Sequence, residues 1–219
     1  MRILGFSRHA LTCCAATAML ASCGGSQPIG APGVIPQTSA LATHAERGKS
    51  WMLPEAKSED LIYAVGGCGG TCFLSYPKGK LVGELTGPYG SADCSDNNGD
   101  VFISGQTEVV EFAHGGTTPI ATYHVAYTPP VGCSVDPESG SLAVVNGAQV
   151  AVFPAGSQNS TSYNSLLDAH FCGYDNAGNL FVSGNDGQNS GLSELPQGSS
   201  GFQKLTLDQS VDEIGRAHV

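Results

Sequence analysis

Cys94, Cys133 and Cys172 stand 39 residues apart, and each opens the same short pattern. Cys94-Ser95-Asp96-Asn97-Asn98-Gly99 is echoed by Cys133-Ser134-Val135-Asp136, closing at Gly140. Cys172-Gly173-Tyr174-Asp175 repeats it once more and closes at Gly178. A β-type run follows each glycine: Val101-Phe102-Ile103-Ser104, Leu142-Ala143-Val144-Val145 and Leu180-Phe181-Val182-Ser183. Leu61-Ile62-Tyr63-Ala64-Val65 is an earlier copy without the Cys/Asp lead-in. A second landmark falls once per unit, as Tyr76-Pro77-Lys78-Gly79, Phe112-Ala113-His114-Gly115, Phe153-Pro154-Ala155-Gly156 and Leu195-Pro196-Gln197-Gly198. Two landmarks recurring at about 40 residues force a modular fold, because such a unit cannot bury its apolar face alone and must stack on its neighbours. Composition agrees on the kind of module. With 30 Gly, 12 Pro and only 13% charged residues the chain is poor in helix formers, and 41% hydrophobic residues are too many for disorder. The reading is all-β.

A four-stranded unit of about 40 residues has the size of a propeller blade. Gly132-Cys133-Ser134-Val135-Asp136 and Gly178-Asn179-Leu180-Phe181-Val182 resemble the blade pattern of the NHL and gluconolactonase-like six-bladed β-propellers, with Cys where an aliphatic residue is usual. The resemblance covers residues 59–207. It implies a β-propeller fragment: three complete four-stranded blades and a partial first blade that lacks its opening strand. Leu180 is then a core position, and Asn146-Gly147 is the turn of a hairpin. Gluconolactonase-like members hold a divalent cation in their channel with a Glu, an Asn and an Asp. Those ligands have no match here residue by residue, so a binding or scaffolding module is the first reading. A calcium-dependent lactone or ester hydrolase is the alternative.

The N-terminus reads as an address. Arg2 and Arg8 precede the twelve-residue run from Ala10 to Ala21, which is too short to span a bilayer as a helix. Leu20-Ala21-Ser22-Cys23 resembles the bacterial lipobox, which implies a signal peptide over residues 1–22 and a lipid on Cys23. Residues 23–58 then form the anchor and a Gly/Pro-rich tether. The expected place is the bacterial cell envelope, on the outer membrane if the cell has one, since no Asp follows Cys23. The membrane is then a partner through the lipid. The other partner is a protein, glycan or small molecule. Nineteen Asp and Glu against nine Lys and Arg give a formal charge of −10, which repels phosphate backbones and excludes nucleic acid.

Five cysteines remain beyond Cys23. Cys68 and Cys72, in a Gly-rich loop, are candidates for a small disulfide or for half of a metal site, although no CxxC or nearby His pair completes a metal site. Cys94, Cys133 and Cys172 are expected on separate sheets, as small buried hydrophobes of the inner strands. Asp96, Asp136 and Asp175 precede turns in every blade and are expected to cap the local backbone rather than to bind metal. His114, His124 and His170 share no face, and no nucleophile elbow, phosphate loop or His-Glu-x-x-His occurs. No catalytic or metal residue is assigned. Residues 208–219 break the repeat. Their last seven, Glu-Ile-Gly-Arg-Ala-His-Val, match an in-frame translation of a common sequencing adapter and are expected to be non-native.

Overall fold

The computed structural model describes residues 49–209, except 88, 89, 91, 127, 128 and 188. Residues 1–22, Cys23, the tether up to residue 48 and the tail from 210 lie outside the described residues. The second blade shows the repeat in its simplest form. Strands β5 (Asp93–Ser95), β6 (Val101–Ser104), β7 (Glu108–Phe112) and β8 (Pro119–His124) form one sheet in chain order, each antiparallel to the last. The third blade repeats it with β9 (Gly132–Val135), β10 (Leu142–Val145), β11 (Gly147–Phe153) and the start of β12 (Thr161–Tyr174). The fourth uses the rest of β12, then β13 (Leu180–Asp186), β14 (Asn189–Leu195) and β15 (Gln203–Leu205). Here the structure departs from the pattern. β12 runs 14 residues without a break, so blades three and four share one seven-stranded sheet. It turns its corner at Leu166, whose φ of 64° is costly for a side chain with a Cβ. The Leu166 amide donates to Asn164 Oδ1 (3.0 Å), and Ser193 Oγ donates to the Ser165 carbonyl (2.7 Å), which hold that corner in place.

The first sheet has four strands, but not the expected four. β2 (Leu61–Val65), β3 (Gly70–Ser75) and β4 (Lys80–Thr86) match the second, third and fourth strands of the other blades. Among the described residues no opening strand precedes β2 in this sheet, as the repeat implied, and the fourth member is β1 (Trp51–Met52), which pairs with the far side of β4. The sheet therefore begins at Trp51, ahead of the Glu59 boundary read from the sequence. Ala56, in the 3-10 turn Pro54–Lys57, is fully buried against this blade. A two-residue strand carries too little alternation to be seen in sequence.

Three apolar clusters lie between consecutive blades. Phe73, Val82, Leu85, Ile103 and Phe112 join the first two, and Phe102, Leu142, Val144 and Phe153 the second and third. Ala143, Val145, Leu180, Val182 and Leu195 join the third and fourth. Leu180 is 1% exposed, as its place in the repeat requires. Period-two alternation sends successive residues of each strand to opposite neighbours, so both faces of an inner blade are apolar. Hence β6 and β10 are buried along their whole length, whereas β2, at the edge of its sheet, is only half-buried.

Candidate binding grooves between the blades

The Asp residues of the first turns are the simplest to place. Asp96 Oδ1 accepts from the amides of Asn98 and Asp100, both at 2.9 Å. Asp175 Oδ1 accepts in the same way from Ala177 (2.9 Å) and Asn179 (2.8 Å), and Asp136 takes the Glu138 amide and the Ser139 hydroxyl. Burial works against the Asp175 carboxylate, but the hydrogen bonds from Asn179, Ala177 and Gly178 outweigh it and hold its pKa below the usual range. Each aspartate caps its own turn. Among the described residues no group of three or more His, Cys, Asp or Glu is arranged to hold a metal ion. The histidines are scattered. His114 lies 3.0 Å from the Glu59 carbonyl, His124 sits beside Glu108 at 3.6 Å, and His170 beside Asp168 at 3.9 Å.

The cysteines correct one expectation. Cys68 and Cys72 are bonded within the β2–β3 loop, with Cα atoms 5.9 Å apart. Cys94 and Cys133 are bonded too, across blades, with Cα atoms 5.7 Å apart, rather than serving as separate buried hydrophobes. Two physical facts produce this. Inner strands of radially arranged sheets converge, so β5 and β9 approach closely. The turns also differ by one residue, because Asp96 follows Cys94 by two positions while Asp136 and Asp175 follow their cysteines by three. In register terms, Cys94 faces Phe102 whereas Cys133 faces Val144 and Cys172 faces Val182. A one-residue shift reverses which face a side chain takes. Cys94 therefore points forward and Cys133 backward, into the same interface. Cys172 points backward as well, its thiol 4.0 Å from the Ala143 carbonyl, and Ser134 holds the position that Cys94 occupies one blade earlier.

Two grooves open at successive blade interfaces, on the side of the first and third turns. Between blades two and three a groove of about 770 Å3 is walled by Ile120, Ala121 and Tyr123 and floored by Glu111, with residues 156–159 on its far side. Between blades three and four the corresponding groove, about 350 Å3, has Tyr163 and Val152, with Pro196, Gln197 and Ser199 opposite. The two are built alike. Tyr123 pairs with Val109 and Tyr163 with Val150, each three residues ahead of the Phe112 or Phe153 landmark. Each tyrosine meets a phenylalanine of the next blade edge-on, Phe153 at 5.2 Å and Phe202 at 6.4 Å between ring centres. Glu111 and Val152 each stand one residue before the landmark. The Tyr123 hydroxyl donates to Glu111 Oε2 at 2.7 Å. Burial pushes the Glu111 carboxyl up, the Tyr123 bond pulls it back, and Asp100 and Asp96 add to the rise. Sequence reasoning missed these grooves, because their far walls come from the next blade. The local signal was Glu111 at a position where another unit has Val.

No family model and no curated protein matches the chain. Among solved structures it is similar to a chain of a nidogen/laminin complex, with 14% identity and a TM-score of 0.55, covering 68% of this chain and 61% of that one. That neighbour is a β-propeller. The set of antiparallel sheets is a β-propeller fragment. At this identity the likeness carries the fold alone, and the chain spans 61% of the propeller chain it matches. The fold class read from the repeat holds.

Proposed function

We propose that this protein is an envelope-anchored propeller lipoprotein that binds or scaffolds a protein partner along the rim where its grooves open. The observation that carries the reading is the pair of grooves, built from the same strand positions at two successive interfaces and lined by tyrosines and turn residues. A row of like grooves suits an extended ligand that crosses several blades. The solved neighbour, whose title is that of a nidogen/laminin complex, supports a protein as the kind of partner. In this reading Cys23 carries the lipid and the residues between Cys23 and the start of the sheet at Trp51 supply the reach. The test uses the full chain in a cell envelope, with a photo-crosslinking residue at Gln158 or Gln197 and, as control, at Asn185 on the opposite turns. Discrete crosslinked protein species at the first two positions and not at the third are expected. Equal or absent crosslinking at all three would overturn the binding reading. Cys23→Ala should release the protein from membranes, and retention of the variant would remove the anchor.

A further inference from the structure

The two grooves use the same strand positions but differ in size and in their acids. The smaller is lined by Asp136, whose oxygens are taken up by the Glu138 amide and the Ser139 hydroxyl of its own turn, and the larger by Glu111. Where the second has Val152, the first has Glu111, on the same strand and at the same step before the landmark. The fold therefore accepts an apolar side chain at this position. A half-buried carboxylate there is unfavourable unless something compensates it. Among the described residues the compensation is a neutral hydrogen bond from Tyr123. Among the described residues no Lys or Arg pairs with Glu111, and no cationic side chain lines the groove. Asp100 and Asp96 lie near enough to deepen the negative potential, on a chain whose net charge is already −10. Above the carboxylate, Ile120 is 55% exposed and offers an apolar wall. Gln158 and Asn159 supply amides on the far side. An acid at the base of an apolar-walled cleft is what the stem and head of a basic side chain fit, with methylenes along the wall and the cation on the carboxylate.

We propose that the groove between blades two and three is a specificity pocket for a lysine or arginine side chain of an extended protein segment, with Glu111 as its counter-ion and Ile120 as its wall. The proposal rests on the binding reading above and names the partner's chemistry. Tyr123 is the positioning residue, holding one carboxylate oxygen by its hydroxyl. The neighbouring groove, with Val152, takes an uncharged residue of the same segment.

The test is fluorescence anisotropy with a labelled lysine-centred nonapeptide and its norleucine counterpart, against the full-length protein. The lysine peptide should bind the wild type about tenfold more tightly than Glu111→Gln, as expected for losing a charged hydrogen bond. Glu138→Gln, which removes an exposed acid outside this groove, should bind as the wild type does and so controls for net charge. The norleucine peptide should not distinguish Glu111→Gln from wild type. Val152→Glu should raise the affinity of a peptide with a second lysine. Thermal melts confirm that each variant is folded. Equal binding of the lysine peptide to wild type and Glu111→Gln, or no binding to either, would overturn the proposal. In that event persistent crosslinking at Gln158 would leave the general binding reading standing, and its loss would remove both.

Discussion

The interface between blades two and three and the one between blades three and four perform the same packing with different additions. In both, apolar side chains from the second and third strands interlock, and a tyrosine of the outer strand meets the next blade's phenylalanine. At the inner end the first interface carries the Cys94–Cys133 bond, where the second has Ser134 and Cys172. At the rim the first carries Glu111 and the second Val152. The shared part is what stacking requires. The covalent link and the carboxylate are additions, because the same architecture closes without them one blade later. Such a contrast within one chain separates structural need from function more cleanly than either interface alone.

The largest effect should come from the shared part. Leu142 and Leu180 open equivalent strands and are 2% and 1% exposed. Either one changed to Ala should cost about 2–5 kcal/mol in chemical denaturation, the usual range for a buried leucine. A loss below about 0.5 kcal/mol, typical of surface positions, would show that the blade register is wrong.

The covalent difference comes next, and it can be moved in both directions. Cys94→Ser should cost about 2–4 kcal/mol, since the bond closes a loop across 39 residues. Ser134→Cys should form the matching bond to Cys172 and recover a gain of the same order in oxidised protein. Failure of that bond to form would mean that the two interfaces are not equivalent at their inner ends.

The smallest effect belongs to the rim. Burial raises the Glu111 pKa above the ordinary glutamate value, so the folded state holds this proton more tightly than the unfolded state does. Stability from this group is therefore greatest at low pH and is lost as pH rises through the folded pKa. Glu111→Gln keeps an acceptor for the Tyr123 hydroxyl and should gain well under 1 kcal/mol at neutral pH, because solvent screens so open a site. The gain should vanish below the unfolded pKa. A gain that persists in acid would show that the carboxylate is not the cause.

Most of the architecture was legible because repetition carries it. The spacing of Cys and landmark residues gave the blade count, and the Asp residues before turns were readable from local chemistry alone. Two features escaped for different reasons. The Cys94–Cys133 bond depends on which face each cysteine takes, and that follows from a single residue of difference in the Cys-to-Asp spacing, visible in the sequence but masked by the even 39-residue interval. The grooves depend on contacts between Glu111 or Val152 and turns more than 40 residues onward, which no local pattern encodes. The short strand Trp51–Met52 and the continuous β12 lacked any signal beyond the tertiary pairing itself.

Blades two and three meet at their inner strands with Cys94 and Cys133 turned toward each other. Peptide mapping of the oxidised, unreduced protein by mass spectrometry tests it most directly. A linked peptide pair containing Cys94 and Cys133 is expected, with Cys172 recovered as a thiol. A pair joining Cys172 to either of them, or Cys94 recovered as a thiol, would contradict it.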